Sequence, residues 1–475
     1  MPNEIIFREQ YGALGRRIVY VKPLDQNSVV QLRSLLTLST TFSERFLQFF
    51  CQVFLPQGYP ESVSDDYYKY QIWDTVQAFC STITGTLTTQ AVMKGVGVGD
   101  TAATPFAAAV TWILKDGTGM VGRIAFAWFE GSRLDGDCKK WRLFADVLND
   151  MAMAFELLVP VLMTYSTHIL CIATALKSIV GVAGGATRAA ITQHQAIRNN
   201  MADVSAKDGS QETFVNLCAS FVGIIILSTL EGEFVWHLFT VFTVIHLYAN
   251  YQAVLSLKMV TLNNARLILL LRMHLGMKIV SSPEVINRHE PVILGTGMSD
   301  RNLCGFRIIL GASLQNAMAY GKICTEDIKL LTGFYCSKKY LIIVDIKGKR
   351  MFVTFLQGET AVDVIQAYFH AVLLGIAICI IREHPLMVLN EQQSRSSLMC
   401  PVHHLQETLI KLNTTNTISR NMKIPVVAMK AADDIVSKEF PEFLEAIQKQ
   451  GWNTRSHHIT VDEWRSEWSN FDKNE

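Results

Sequence analysis

Three charged side chains, Lys115, Asp116 and Arg123, stand within the otherwise apolar stretch WILKDGTGMVGRIAFAW (residues 112–128). A charge at the centre of a bilayer costs about 2.5–3.5 kcal/mol, so it normally pairs or lines a polar cavity. Lys115 and Asp116 diverge by about 100° on a helix, so we expect them not to neutralise each other. Arg123 lies two turns from Asp116, on roughly its face. Two interpretations stay open: a polar site for an anionic ligand inside a helix bundle, or a solvated loop at residues 115–119.

A second group of candidate ligand-binding side chains follows an apolar segment in ATRAAITQHQAIRNN (residues 186–200). Arg188 and His194, together with Arg198, could bind an anion or a lipid headgroup. Arginine at the cytosolic boundary of a membrane helix also sets the orientation of that helix, which is an equally simple explanation. The histidine pairs at 403–404 and 457–458 have no further ligands at metal spacing, so we expect no metal site.

These side chains must be positioned by long helices, because the chain is unusually apolar. Of its 475 residues, 49% are hydrophobic and 18% charged, against about 25% charged in an average soluble domain. Apolar runs near the ~20 residues that span a bilayer occur at about residues 75–97, 107–130, 143–165, 168–190, 214–231 and 234–257. The alternative is that some of these runs are buried helices of a large soluble domain.

The charges between these runs predict a topology. Residues 131–142, residues 188–213 and the chain beyond the last run carry Lys and Arg, whereas residues 165–168 and 231–233 carry neither. Basic residues concentrate on the cytosolic side of membrane proteins. The alternation therefore predicts about six spans, with both termini cytosolic.

After residue 280 the hydrophobic period changes. KKYLIIVDIKGKRMFVTFLQ predicts two strands joined by a turn at Asp345–Lys349, GFRIILGAS another strand, and EDIKLLTGF a short helix. The apolar stretch 360–381 follows the hairpin directly, and we interpret it as a helix packed on a sheet. The sequence thus predicts a mainly α protein: a multi-span transmembrane helical bundle followed by a small cytosolic α+β domain.

Several functional classes have no support in the sequence. The formal net charge of +1 gives no basic field for nucleic acid, and no P-loop, GxSxG elbow or other catalytic signature appears. The ten cysteines include no CxxC pair, which favours a reducing compartment. We therefore expect no enzyme activity and no cofactor. An enzyme using pyridoxal phosphate would need a lysine in a phosphate-binding α/β site, which the sequence does not show.

Several long motifs resemble one family. FLPQGYPESVSDDYYKYQIWD (residues 54–74), TLTTQAVMKGVGVGDTAATP (86–105), the stretch 112–128, WRLFADVLND (141–150) and the segment 183–213 resemble the ROOT UVB SENSITIVE (RUS) family, here an animal-type member. The resemblance covers about residues 54–265. With the patterns above, the chain is expected to have three parts: an N-terminal soluble helical segment at 1–74, a RUS membrane helical domain at 75–265 and a C-terminal α+β domain at 280–475. The resemblance also implies a role in vitamin B6 homeostasis.

A shorter resemblance concerns GSRLDGDCKKWRL (residues 131–143). This segment looks like the loop between the second and third helices of major facilitator transporters, with Gly131, Asp135, Lys139 and Lys140 at the matching positions. Six spans would form half of such a transporter, so a pore would require a homodimer or a RUS family partner. The candidate substrate-binding residues are therefore Lys115, Asp116, Arg123, Asp135, Arg188 and His194.

Two functions follow from these observations. The first is an integral protein of an intracellular membrane that moves or senses a small anionic metabolite, with membrane lipids as its surroundings. The alternative is a membrane scaffold that transports nothing and binds a partner protein.

Overall fold

The structure is a computed structural model that describes residues 4–10, 17–22, 30–33, 42–95, 105–229, 234–386, 400–413 and 424–468. The chain divides into two compact units, Met1–Leu257 and Lys258–Glu475. The second unit begins earlier than the boundary near residue 280 expected from the sequence.

The first unit combines a small sheet with seven helices among its described residues. An antiparallel sheet joins β1 (Glu4–Gln10), β2 (Arg17–Lys22) and β3 (Val30–Arg33) in that order. The helices are α1 (Phe42–Phe54), α2 (Tyr67–Gly95), α3 (Pro105–Glu130), α4 (Cys138–Leu158), α5 (Ser166–Gln195), α6 (Met201–Thr229) and α7 (Phe234–Ser256). The sequence predicts only helix before residue 74, but β-branched and aromatic residues in IIF and IVYV favour the strands that are observed.

Helices α2 to α7 cover the six apolar runs. Contacts between α2 and α6 join Gln71 to Asp208 and Thr82 to Asn216, so these two helices run in the same direction. Helix α7 runs opposite to α2, because the rings of Trp73 and Tyr248 meet edge to face while Gln77 forms a hydrogen bond with His246. The neighbouring helices α6 and α7 therefore run in opposite directions.

The helices extend beyond the runs that the sequence defines. Helices α5 and α6 have 30 and 29 residues, or roughly 45 Å each, against about 30 Å for the hydrocarbon core of a bilayer. Much of the predicted loop at 188–213 is therefore helical. By length and composition, four helical segments of the described chain could cross a membrane: Met163–Gln195, Met201–Thr229, Phe234–Ser256 and Ala361–Ile381. Helices α2, α3 and α4 are not among them, so within the first unit composition alone supports α5, α6 and α7 as spans.

The second unit mixes helices and short strands. Its strands are β4 (Thr261–Asn263), β5 (Arg307–Leu310), β6 (Tyr340–Asp345), β7 (Arg350–Leu356), β8 (Asn453–His458) and β9 (Arg465–Ser466). Its helices are α8 (Asn264–Met277), α9 (Pro283–His289), α10 (Asp300–Cys304), α11 (Leu314–Gly321), α12 (Thr325–Phe334), α13 (Ala361–Ile381), α14 (Pro401–Asn413) and α15 (Val426–Lys449). Strands β6 and β7 pair antiparallel, β5 and β9 pair parallel with β7, and β4 pairs parallel with β8.

The predicted hairpin and the helix that follows it are confirmed. Asp345 closes the hairpin turn by accepting hydrogen bonds from the Gly348 amide and the Arg350 side chain. Thr360 and Asp363 cap the start of α13 reciprocally. Of the most apolar window of α13, 83% is buried inside the protein, against α15 and the sheet. The interpretation of this stretch as a packed helix agrees with that burial.

The remaining predictions for this unit have mixed outcomes. The strand at 307–310 and the helix at 325–334 are confirmed. Residues 386–424 are rich in Ser, Asn, Thr and Gln, yet they contain helix α14; residues 387–399 and 414–423 lie outside the described part.

Candidate functional site

Several long helices of the first unit expose apolar side chains and bury ionisable ones. These helices expose large apolar side chains such as Phe221, Ile225 and Val244, with 61%, 61% and 62% of their surface accessible. The same helices bury Asp150 and His246, at 4% and 0%. Ionisable groups inside a helical bundle are costly and normally pair or serve function. The interior of this bundle is therefore the candidate location of a functional site.

Arg188 of α5 holds together the polar ends of three helices. Its guanidinium group contacts the Asp208 carboxylate at 2.6 Å and the Glu212 carboxylate at 2.6 Å, both on α6. The amide of Gln71, on α2, donates to the other oxygen of Asp208 at 3.1 Å. Such charge-assisted hydrogen bonds are the strong ones in proteins, so this junction fixes the arrangement of α2, α5 and α6.

His194, the penultimate residue of α5, pairs with a buried carboxyl group. Its Nε2 lies 2.9 Å from Oδ2 of Asp66, which is 1% exposed. Ser64 donates a short hydrogen bond to the other oxygen of Asp66. His194 therefore ties α5 to the residue that precedes α2.

A second group of ionisable side chains lies further along α2 and α4. Arg142 contacts Asp74 at 3.0 Å. Asp146 and Asp150 follow Arg142 at four-residue intervals and so share its face of α4. His246 of α7 lies between Asp150 and Gln77, with its two ring nitrogens at 2.8 Å and 3.0 Å from them.

Several atoms of this group keep spare hydrogen-bonding capacity. Among the described residues, Oδ2 of Asp146, Oδ1 of Asp150 and Nδ2 of Asn250 are buried and have no hydrogen-bond partner. Most buried polar atoms in native proteins are paired, so each exception calls for an explanation. Atoms of this kind can accept or donate to a bound ligand or water.

One ion pair lies deeper in the apolar part of the bundle. Lys177 of α5 contacts Glu156 of α4 at 2.6 Å, with 38% and 9% of the two side chains exposed. Lys177 is 18 residues from the end of α5 at Gln195, or about 27 Å along the helix axis. We name these side chains the polar track, from Asp66 and His194 at one end to Glu156 and Lys177 at the other.

The structure places Lys115, Asp116 and Arg123 outside this track. Helix α3 is continuous from Pro105 to Glu130, so the interpretation of residues 115–119 as a loop is wrong. Asp116 and Arg123 are exposed, and Lys115 is partly exposed. Lys115 Nζ lies 3.9 Å from Asp116; the expectation that adjacent positions prevent such a contact is wrong, because the flexible lysine stem spans the 100° offset.

The turn between α3 and α4 separates the other candidate residues. Asp135 is exposed, whereas Lys139 is buried and donates to the carbonyl oxygen of Leu257 at 2.8 Å. Lys140 pairs with Asp137 at 2.9 Å. Of the six candidate residues from the sequence, only Arg188 and His194 belong to the polar track.

Sequence reasoning missed most of the polar track, although a signal was present. Arg142, Asp146 and Asp150 recur every four residues and so share one face of α4, which is the pattern of a polar face. Asp208 and Glu212 show the same spacing. Lys177 is a single charge in the middle of a long apolar run. Their partners come from distant parts of the chain, so no local pattern could pair them.

The track carries more acid than base. Among the residues described above, six carboxyl groups (Asp66, Asp74, Asp146, Asp150, Asp208 and Glu212) accompany two guanidinium groups (Arg142 and Arg188) and two imidazoles (His194 and His246), and Glu156 balances Lys177. If all these carboxyl groups are counted as ionised and the imidazoles as neutral, the track has a formal excess of four negative charges. The described residues contain no group of three or more His, Cys, Asp or Glu able to hold a metal ion.

Long apolar helices with ionisable interiors define the class as a mainly helical protein with membrane-length segments. Two family models divide the chain between them. Residues 40–278 match the model described as "Vitamin B6 photo-protection and homoeostasis domain", and residues 279–468 match "Root UVB sensitive protein, C-terminal". The chain belongs to the root UVB sensitive family, as its motifs indicate.

Individual relatives agree with this assignment. "RUS family member 1" of Dictyostelium discoideum is 42% identical over 61% of this chain and 56% of its own length. "Protein root UVB sensitive 3" of Arabidopsis thaliana is 37% identical over 68% of this chain and 74% of its own length. The match thus spans little more than half of the Dictyostelium protein. No solved structure matches the chain.

Proposed function

We propose that this protein is an integral protein of an intracellular membrane that acts in vitamin B6 homeostasis, with α2 to α7 as six spans and both termini cytosolic. The observation that carries the proposal is the polarity of α4 to α7, which expose apolar side chains such as Phe221, Ile225 and Val244 and bury Asp150 and His246. A lipid environment favours that distribution, whereas water opposes it. The family model over residues 40–278 supports the metabolic role.

The polar track is the part of the bundle that would contact a small metabolite. It begins at the polar ends of α2, α5 and α6 and continues to the ion pair between Glu156 and Lys177. A ligand that moves along it exchanges hydrogen bonds with Asp146, Asp150 and Asn250, whose buried atoms have capacity to spare. A homodimer would be needed if two such bundles form one pore.

The charge balance limits how an anionic metabolite could use this track. Arg188 is already engaged by Asp208 and Glu212, and the excess of carboxylates repels a further anion. An anion therefore enters together with protons that neutralise these carboxylates, or the ligand presents a cationic group to them. We propose transport or sensing of a small polar metabolite coupled to proton uptake by the track.

Uptake of labelled B6 vitamers by proteoliposomes containing the purified protein tests this function. We expect accumulation that rises when a pH gradient supplies protons. Asp150→Asn should lower the initial rate of uptake by about tenfold or more, because the carboxylate beside His246 is removed. A tenfold loss corresponds to a rise of about 1.4 kcal/mol in the activation free energy. Asp116→Asn is the matched control, since Asp116 is exposed on α3, and should transport at the normal rate.

Two results would contradict the proposal. Release of the intact protein by alkaline carbonate would show that it is not embedded in the membrane. Equal uptake by the Asp150→Asn and normal proteins would remove the polar track from the transport path.

The second candidate is a membrane scaffold that binds a partner protein. The saturated ion pairs of Arg188 favour it, because a residue held by two carboxylates stabilises a fold without needing a ligand. The apolar outer surface of α3, which includes Ile113 and Trp128 at 71% and 78% exposure, is an available contact area. If the protein is a scaffold, proteoliposomes should take up no vitamer. Replacement of Ile113 and Trp128 by serine should then disrupt its complex with a partner protein in cells.

A further inference from the structure

An apolar groove separates α1 from α6 in the first unit. It has a volume of about 580 Å³, within the ~300–1,000 Å³ range of small-molecule sites. Its walls are formed by Val53, Phe54, Ala206, Gly209, Ser210, Thr213, Phe214 and Leu217. Both hydroxyl groups in the wall donate to carbonyl oxygens of their own helix, Ser210 to Ala206 and Thr213 to Gly209. The groove therefore presents an almost entirely apolar lining.

The groove lies where α6 changes from polar to apolar. Residues 201–213 of this helix, MADVSAKDGSQET, contain four charged side chains, whereas residues 214–229, FVNLCASFVGIIILST, contain none. The last turns of α1 pack at this change: the rings of Phe50 and Phe54 lie 5.8 Å and 5.3 Å from the ring of Phe214. If α6 spans the membrane, α1 lies at the level of the lipid headgroups.

Polar contacts hold α1 at this level. Lys207 donates to the carbonyl oxygen of Gln52 at 2.5 Å, and Gln211 donates to that of Phe54 at 2.6 Å. Beyond the end of α1, the Gln57 amide donates to the Asp203 carboxylate at 2.7 Å. These bonds satisfy backbone groups at the end of the helix and leave its aromatic side chains to other contacts.

Two of those aromatic side chains are more than half exposed. Phe46 and Phe49 of α1 are 55% and 61% exposed. A helix with exposed aromatic side chains, attached at the headgroup level, typically lies in the membrane surface with those side chains among the acyl chains. The exposed aromatic side chains, the position of α1 at the headgroup level and the apolar groove all indicate that lipid covers this surface.

We propose that α1 is an interfacial helix, and that the groove between α1 and α6 binds an acyl chain of a phospholipid. Phe46 and Phe49 enter the surface of the bilayer, and the bound chain covers the apolar wall between Val53 and Leu217. This inference rests on the proposed membrane location of α6, and it adds a lipid site that lies apart from the polar track.

Photo-crosslinking of the full-length protein in phosphatidylcholine vesicles tests the helix. A benzoylphenylalanine is placed singly at Phe49, at Phe221 or at Lys69. Phe49 and Phe221 are both 61% exposed, and Phe221 lies on the apolar half of α6, so it reports the bilayer itself. Lys69 is exposed on the polar end of α2 and reports water. After irradiation, mass spectrometry identifies phospholipid adducts.

We expect phospholipid adducts at positions 49 and 221 and few at position 69. Adducts at 221 without adducts at 49 would overturn the interfacial helix and leave the membrane location intact. The absence of adducts at both positions would overturn the membrane location as well. Crosslinking of position 49 to a second copy of the chain would show that protein, rather than lipid, covers α1.

A second measurement isolates the groove. A Cβ on Gly209 meets no atom within 4 Å, so Gly209→Ala adds a methyl group without a clash and leaves most of the groove open, whereas Gly209→Leu places a large apolar side chain in the groove. Native mass spectrometry of the detergent-purified protein should show a retained phospholipid for the normal and Gly209→Ala proteins, with at least a fivefold loss for Gly209→Leu. Equal retention by all three would overturn the groove as a lipid site.

Discussion

At the scale of single residues, the contact between Glu156 and Lys177 matters most, because it lies deepest in the apolar part of the bundle. Both residues belong to helices that are otherwise apolar at this depth, and each neutralises the other at 2.6 Å. A buried pair contributes little net stability, but the loss of one partner leaves an uncompensated charge. Replacement of one partner should therefore destabilise the bundle, whereas replacement of both partners by uncharged residues should be tolerated.

We expect Glu156→Gln to destabilise the bundle by about 1–3 kcal/mol, a range reduced from that of fully buried pairs because Lys177 is partly exposed. The double variant Glu156→Gln with Lys177→Met should recover much of the loss. Thermal unfolding in nanodiscs measures both. The exposed pair of Glu445 and Lys449 on α15 is the control, and Glu445→Gln should cause no measurable change. If the double variant were less stable than the Glu156→Gln variant, the assignment of Glu156 and Lys177 as an ion pair would be contradicted.

His274 gives the second unit a pH-dependent stability. Burial against the rings of Phe443 and Phe369, with a smaller effect of Lys278, lowers the pKa of His274 from 6.5 to about 4. The charge of Glu442 raises the pKa of His274 but does not reverse the shift. The folded protein therefore holds this imidazole neutral at pH values where the unfolded chain protonates it.

Stability should accordingly be lost as the pH falls. Between pH 6.5 and about 4 the unfolded state binds a proton that the folded state does not, so the unfolding free energy falls by up to about 1.4 kcal/mol per pH unit. Above pH 6.5 the contribution is constant. Urea unfolding of the second unit across this range measures the slope, and His274→Phe, which keeps an aromatic ring, should remove most of it. An unchanged slope in that variant would contradict the role of His274.

At the scale of elements, α8 and β4 decide where the second unit begins. Leu267, Leu270, Leu271 and Leu275 of α8 are fully buried in the core that also contains α13. Arg266 of α8 is buried as well, and it pairs with Glu290 at 3.0 Å. Removal of α8 would therefore open the core and leave a buried carboxylate without its partner.

The chain from Lys258 to Glu475, expressed by itself, should be soluble and unfold in a single transition. The shorter chain from Val280 to Glu475 should be largely unfolded, because it lacks β4 and α8. Circular dichroism during heating distinguishes the two. Insertion of the longer chain into microsomes would show that Ala361–Ile381 spans a membrane, contrary to its burial here.

At the scale of the whole molecule, the alternating direction of α2, α6 and α7 makes a topological prediction. Tags before Met1 and after Glu475 should both be accessible from the cytosol, and a glycosylation acceptor inserted next to Glu231 should be modified in the lumen. Protease protection and a glycosylation shift on gels measure these outcomes. A protected C-terminal tag would require an odd number of spans.

Much of the secondary structure could be predicted from the sequence, because it depends on local patterns. Long apolar runs indicate helices α2 to α7, and the β6–β7 hairpin follows from alternating residues around a polar turn. The family also follows from local motifs. These features need only neighbours in the sequence, since hydrophobic period and turn chemistry act over a few residues.

The site depended on tertiary structure. Lys115, Asp116 and Arg123 were the most conspicuous charges in the sequence, yet α3 presents Asp116 and Arg123 outward. The pairs Glu156 with Lys177 and Asp150 with His246 join residues 21 and 96 positions apart. Sequence alone determined that charges lie within apolar helices. Only the packing decided which of them face inward and which partner each one meets, because helix rotation and long-range contacts are set by the whole bundle.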